Sequence, residues 1–277
     1  MDVGWIFYAR RPASIGSRAI EHDSLRVSGS DFGIERGNTL PEGLVFKRGA
    51  DIVLSVFFLI ASLPLLAVAA IAIKLDSEGP VFFWQARMGR KFSRFKVLKL
   101  RTMCVHGCGP TCTLSEDPRI TRTGRWLRWL KVDELPQLWN VLRGEMSLVG
   151  PRPVVPELAI EFREAYSRLL EVRPGLTDPA TLKYCREEKI LALVADPLSY
   201  YKGVLTPDKL RISTAYMERA NVLSDLGVLV GTALALFPFN WRPQFILAWF
   251  SALGSSSEPI FAEPAQRAKA QPSIENI

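Results

Sequence analysis

Two adjacent carboxylates open the most chemically suggestive stretch of this 277-residue sequence, Val132-Asp133-Glu134-Leu135-Pro136-Gln137-Leu138-Trp139-Asn140-Val141-Leu142-Arg143-Gly144. Leu135, Leu138 and Leu142 share a helical stripe, proline is tolerated in a helix only in its first turn, and Gly144 is a natural stop. Asp133 and Glu134 therefore fall at a helix N-terminus. Unpaired amides and the positive end of the helix dipole favour ionised carboxylates and bound phosphate there, by about 0.3–1 kcal/mol each at an exposed position. An ionised carboxylate beside a phosphate is a candidate nucleophile, and its neighbour can hold a divalent cation or take a proton. An Asp-Glu-Leu-Pro run can also be a plain acidic helix cap. Its surroundings favour chemistry: Gly150-Pro151-Arg152-Pro153 displays an arginine from a stiff turn, where its fork can meet a phosphate or carboxylate accurately. Lys99-Leu100-Arg101-Thr102-Met103 and Asp117-Pro118-Arg119-Ile120-Thr121 add further cations and hydroxyls.

These groups lie close in sequence to a membrane segment. Ile52 to Ile73 is a run of 22 residues without a charge. As continuous helix it would reach about 33 Å, against a hydrocarbon core of about 30 Å. Pro64 lies mid-run just after Ser62, which predicts a kink or break near 60–64. Both flanks are basic: Lys47 and Arg48 before, then Lys74 and the cluster from Arg87 to Arg101. The positive-inside bias puts both ends on the cytoplasmic side. A re-entrant helix-break-helix anchor satisfies both observations; a straight span satisfies only the length.

Beyond Lys74 the chain is punctuated by Gly and Pro. Gly79-Pro80 leads into Val81-Phe82-Phe83-Trp84, an extended segment. Ile120 to Lys131 reads as a helix with Arg119, Arg122, Arg125, Arg128 and Lys131 at every third residue, a spacing that winds the cations around the helix. Some can meet lipid headgroups and others substrate, while Trp126, Leu127, Trp129 and Leu130 suit either a core or an interfacial belt. Leu158, Phe162, Ala165 and Leu169 predict an amphipathic helix closed by Pro174-Gly175. Leu226–Phe239 and Phe245–Phe250 are apolar but too short to cross a bilayer, and suit shallow insertion or core packing.

Composition sets the outer bounds. Hydrophobic residues make up 48%, charged ones 23%, and mean hydropathy is +0.11, which excludes both a disordered chain and a many-helix transporter. Thirty-five Lys+Arg against 28 Asp+Glu, with a pI near 9.4, point to an anionic partner. Four cysteines are too few for a disulfide scaffold. Cys104, His106, Cys108 and Cys112 do not match common zinc spacings and read as free thiols in a Gly/Pro loop. The start of the sequence carries no signal-peptide pattern, so the bulk of the chain is expected in the cytoplasm. The expected layout is a poorly ordered lead-in (1–46), the membrane helix (47–75), a catalytic domain (76–215), apolar interfacial helices (216–251) and a disordered tail (252–277). The expected fold is mainly α with short extended segments: the re-entrant anchor plus a small cytoplasmic catalytic domain.

The ordered blocks resemble the bacterial sugar transferases, the monotopic polyprenyl-phosphate glycosyl-1-phosphate transferases. The resemblance runs from Lys47-Arg48 and Asp51 through the membrane segment, Gly79-Pro80-Val81, Gln85, Arg87 and Gly89, Phe95-Lys96-Val97, Lys99 to Met103, Asp117 to Arg128, Asp133 to Val141, and Met146 to Pro153. It continues more loosely from Arg173 to about Thr232. It implies transfer of sugar-1-phosphate from a UDP-sugar to undecaprenyl phosphate at the inner face of the plasma membrane, with Mg2+ and release of UMP, in the initiation of exopolysaccharide, O-antigen or glycoconjugate synthesis. By the same resemblance Asp133 attacks the β-phosphorus and Glu134, with Asp133, holds Mg2+ or assists the acceptor. Arg152, Arg128, Arg119, Lys99 and Arg101 neutralise phosphates, and Ser62 and Pro64 mark the membrane break. Partners would be the two substrates and the phospholipid membrane, with a homodimer open and no nucleic acid. Here Leu63 separates Ser62 from Pro64, Val132 replaces a frequent Leu, and the Cys104–Cys112 loop has no counterpart. The small catalytic-core type is expected, without a multi-span N-terminal module. A basic scaffold tethered to the membrane would explain the charge but not Asp133-Glu134 or Arg152. A glycosidase pair fails because adjacent side chains do not flank a sugar ring.

Overall fold

The computed structural model describes residues 42–104, 117–185 and 187–236. Helix α1, Glu42–Asp76, is 35 residues long, about 52 Å at roughly 1.5 Å per residue. Asp51, Ser55, Ser62, Ala69 and Ile73 are buried at spacings of four and seven, which makes one narrow stripe. Most of the remaining surface between residues 52 and 75 is exposed and apolar, including Phe57, Ile60, Val68 and Ile71, and Leu75 is 85% exposed. By length and composition α1 could cross a membrane. Of the kink or break expected at 60–64, a break is absent: the helix continues through Pro64. Proline removes one N–H from this stretch, and the Ser62 hydroxyl donates to Leu59 O at 2.9 Å just before it.

Both ends of α1 are tied to the globular body. Near the start, Lys47 Nζ donates to Val149 O (3.1 Å) and to Asp225 (2.5 Å), while Asp51 accepts from Ser147 Oγ (2.7 Å) and the Leu148 amide (3.1 Å). Near the finish, Asp76 accepts from the Thr123 amide at 2.8 Å. Between them Ala69 and Ile73 pack with Leu100, Leu127 and Val132.

The body starts with an antiparallel hairpin of β1, Phe82–Met88, and β2, Arg94–Leu100. Its turn places Lys91 and Phe92 in the left-handed region, at φ 55 and 57°. α2, Arg122–Trp129, is capped by Thr121, whose hydroxyl accepts from the Gly124 amide at 2.9 Å. A 3-10 turn, Val132–Gln137, runs directly into α3, Leu138–Leu142, and Gly144 closes that helix at φ 81°. β3, Ser147–Val149, lies parallel to β4, Gly175–Thr177. A Cβ on Gly175 would overlap the Gly150 amide nitrogen, so this crossing demands glycine.

Between those strands, α4 (Pro156–Glu161) and α5 (Arg163–Leu169) replace the single expected helix. Phe162, at φ −107° and ψ 37°, separates them and shifts the register. Ala165 is consequently exposed, and Tyr166 takes its expected place in the cluster of Leu158, Phe162 and Leu170. Then come α6 (Pro179–Lys183), α7 (Glu187–Leu191), α8 (Pro197–Tyr200), a π turn (Tyr201–Leu205), α9 (Thr206–Met217) and α10 (Val222–Leu236). The main core joins Val97, Leu138, Val141, Met146, Leu148 and Val228. α10 thus buries Val228 in the core and exposes Val222, Leu223, Leu226 and Val230. Most described residues are helical, as expected. The expectations for the lead-in before 42, the stretch Phe245–Phe250 and the tail lie outside the described residues.

Candidate active site

Asp133 and Glu134 occupy the first turn of the 3-10 segment, immediately after Lys131, whose φ of 56° reverses the chain out of α2. Pro136 lies before α-helical bonding begins at Leu138, so its missing N–H costs little. Helix α3 is clamped behind this turn. Asn140, fully buried, accepts from the Leu98 amide (3.0 Å) and donates to Lys96 O (2.8 Å) and Glu145 Oε2 (2.7 Å). Arg48 donates to Val141 O (2.8 Å) and Leu142 O (3.2 Å), and a cation is favoured at that end of the helix. The acidic pair thus stands on a mount bolted to β2 and to α1.

Glu134 is already neutralised. Arg152 Nη2 donates to its Oε1 in a short charge-assisted bond, and Lys99 Nζ lies 3.3 Å from the same oxygen. Burial would raise this carboxyl, but Arg152, Lys99 and Lys131 outweigh it and hold it far below the ordinary range. Glu134 in turn raises the Arg152 guanidinium above its usual value.

Asp133 is treated in the opposite way. It is 7% exposed, and its Oδ1 is buried without a hydrogen-bond partner. Burial first, and the Glu134 charge second, push its carboxyl up to about 6, against the pull of Lys99, Lys131 and Arg128. Two donors nearby in sequence, Arg128 Nη1 and Gln137 Nε2, are also buried and unpartnered. Each such group costs on the order of 1–3 kcal/mol unless something fills the gap. An unsatisfied carboxylate oxygen beside an unsatisfied guanidinium suits a phosphate that would face both.

The sequence candidates sort into two sets. Asp133, Glu134, Lys99, Arg152 and Arg128 come together. Arg101 is turned away, its guanidinium donating to the carbonyls of Glu78 (2.5 Å) and Ser77 (2.7 Å) at the end of α1. Arg119 is forked on Asp117, at 2.5 Å for the ion pair, and that contact holds the Asp117 carboxyl down to about 2. Ser62 and Pro64 sit within α1. Arg87 was missed as a phosphate candidate. It bonds Gln85 Oε1 at 2.7 Å, and burial and the neighbouring Arg152 lower it to about 10, which places it in the same electrostatic cluster. Pairing of Arg87 with Phe95 puts it on the strand face shared with Val97 and Lys99, a signal available only once the hairpin is recognised.

Trp126 and Trp129 are exposed, their rings packed edge to face at 5.8 Å, while Leu127 is buried, so α2 is part core and part amphipathic surface. Cys104 is a free, exposed thiol, and residues 105–116 of the cysteine loop lie outside the described residues. Among the described residues no three His, Cys, Asp or Glu side chains converge as a metal cage. A Mg2+ ion needs none: it commonly takes one or two carboxylates, several waters and substrate phosphates. The adjacent pair, with its free Asp133 oxygen, fits that donor set.

The family model described as bacterial sugar transferase matches residues 43–238. An undecaprenyl-phosphate glucose phosphotransferase from Komagataeibacter xylinus is 47% identical over 153 residues, 52% of this chain and 29% of that protein. A UDP-glucose:undecaprenyl-phosphate glucose-1-phosphate transferase from Caulobacter vibrioides is 43% identical over 153 residues, 50% of this chain and 54% of the other. An exopolysaccharide production protein, PSS, from Rhizobium leguminosarum is 41% identical over 178 residues, 58% of this chain and 86% of the other. The chain thus spans about half or less of the length of the first two relatives.

Proposed function

The chain belongs to the bacterial sugar transferase family, and from that premise we propose that it moves sugar-1-phosphate from a UDP-sugar to undecaprenyl phosphate, releasing UMP. The activities named for its relatives support the reading, and one name with UDP-glucose beside another with glucose makes UDP-glucose the first donor to test. The observation that carries it is Asp133 Oδ1, a carboxylate oxygen buried without a partner among cations.

In this reading Asp133 Oδ1 attacks the β-phosphorus. The new O–P bond forms as the bond from that phosphorus to the bridging oxygen breaks, and UMP leaves with the bridging oxygen and its electron pair. A phosphate oxygen of the lipid acceptor then attacks the same phosphorus and frees Asp133. Arg152 and Lys99 keep Glu134 ionised and offer positive charge to the diphosphate, while Arg128 and Arg87 supply further positive charge. Glu134 and Asp133 would hold Mg2+, which supplies neutralisation of developing phosphate charge. Splitting the transfer in two avoids holding a soluble and a lipid substrate together.

The same reading places the protein monotopically on the inner membrane, facing the cytoplasm. One body contacts α1 at Lys47 and again at Asp76, so a perpendicular span would carry the polar body into the hydrocarbon. Both ends on one face, with the apolar side of α1 in lipid, accords with those contacts.

Incubating the protein with UDP-glucose and no acceptor should add the mass of one phosphosugar at Asp133. An unlabelled polypeptide from mixtures that turn over would overturn the covalent step. Cysteine labels at positions 35 and 78 should react from the same side of the membrane, and reaction from opposite sides would exclude the monotopic placement.

A further inference from the structure

A second basic centre lies at the opposite end of the β1–β2 hairpin. Arg94 stands five residues before Lys99 along β2, about 16 Å at roughly 3.3 Å per residue, so it is remote from the Asp133 pair. Here a cavity of about 360 Å3 is lined by Arg90, Arg94, Arg143 and Arg173, with Gly144 and Glu145 between them. No residue of the Asp133 cluster borders it. We infer that this cavity is a separate anion site that takes a phosphate mono- or diester, presented by an anionic lipid headgroup at the start of α1.

Two of the four lining arginines are held in place by bonds that leave their forks free. Arg90 donates through Nε to Glu171 O (2.8 Å) and Arg173 through Nε to Gly144 O (2.9 Å). The terminal nitrogens of both, and the whole guanidinium of Arg94, have no hydrogen bond or ion pair within the described residues. The single lining carboxylate, Glu145, is committed to Asn140 (2.7 Å) and Arg143 (3.5 Å). Arg48 adds a fifth guanidinium behind Gly144, where a Cβ would lie 3.4 Å from its Nη2. Burial first, then the neighbouring Arg48 and Arg90, lower the Arg173 pKa against the pull of Asp51. Planar forks gathered at a cleft with one spent counter-charge match phosphate oxygens. The lipid source follows from position. Arg48 sits two residues after Phe46, an exposed apolar side chain at the start of the surface that α1 presents outward. The cavity therefore lies beside the level where hydrocarbon would give way to headgroups.

The test uses the full-length protein and reads binding alone, so it is independent of the transfer chemistry. Sedimentation with phosphatidylcholine vesicles, with and without phosphatidylglycerol, is compared with calorimetric titration of inorganic phosphate and of UMP. The variants are R94Q/R143Q, R94Q alone in case the pair fails to fold, and K202Q/R211Q as an equal loss of charge elsewhere. The phosphatidylglycerol-dependent affinity should fall about fivefold for each arginine removed from the cavity. The control pair should leave it within twofold. Loss of phosphate or UMP binding in the cavity variants, with vesicle binding intact, would keep the anion site and assign it to a soluble phosphate. Equal losses from cavity and control variants, or no loss in either arm, would overturn the proposal.

Discussion

Asp133 and Asp178 are both buried aspartates at the start of a short helical segment, and the fold treats their oxygens in opposite ways. Asp178 caps α6: its Oδ1 accepts from the Thr181 amide (2.7 Å) and hydroxyl (2.6 Å), and its Oδ2 accepts from Ser213 Oγ (2.5 Å). Those bonds join α6 to α9 and leave nothing for a ligand to do. Asp133 keeps an empty oxygen among cations. Hydrogen bonding completed internally marks the support; hydrogen bonding left open marks the place where a substrate must complete it.

Replacing each carboxylate separates the two roles. D133N should reduce UMP release by a factor on the order of 10^4 or more, as loss of a nucleophile does, with thermal stability equal or higher because a buried unpaired charge is gone. Radiometric UMP assays and calorimetry check both halves, and retained turnover would break the contrast. D178A should cost about 3 kcal/mol, roughly 6–12 °C in Tm, because it strands one amide and two hydroxyls. Its folded fraction should keep normal turnover per active molecule; a lower turnover at equal folded fraction would make Asp178 more than a support. R152K keeps the charge but loses the fork, so kcat/KM should fall by a factor of about 10–100, measured by initial rates across UDP-glucose concentrations.

Protonation sharpens the contrast more gently. In the protein without metal, Asp133 should take a proton near pH 6, seen as a carboxylic acid stretch in difference infrared spectra that D133N removes. Mg2+ held there would lower that point, and intermediate formation should fall about tenfold per pH unit below the lowered value. The stability effect has a definite sign. A carboxyl raised in the folded state favours folding increasingly as pH falls from 6 toward its unfolded value near 3.8. Asp117, lowered to about 2 by Arg119, contributes stability above 3.8 that is lost as pH falls through 2.

The acidic pair at a helix start was legible because Leu135, Pro136, Leu138 and Gly144 each obey local rules, and the structure follows them. The long apolar helix was legible from its uncharged run, and its continuity was not: a proline signals a missing donor, and the sequence does not say whether the helix tolerates the gap. The β1–β2 hairpin was hidden because its turn uses left-handed Lys91 and Phe92 in place of an Asn-Gly signal. Arg101 and Arg119 looked like phosphate ligands because a sequence displays a charge without its partner. Here the carbonyls of Ser77 and Glu78, and the carboxylate of Asp117, are those partners. Arg87 was overlooked for the same reason in reverse, since its place in the cluster comes from cross-strand pairing.

The three bonds of Asn140 fasten strand, helix and Glu145 into one rivet beneath the acidic turn. A side chain on such a rivet does not swing between successive visitors. On the proposed reading, donor and acceptor must each come to Asp133, because the turn that carries it is fastened from behind to β2 and α1.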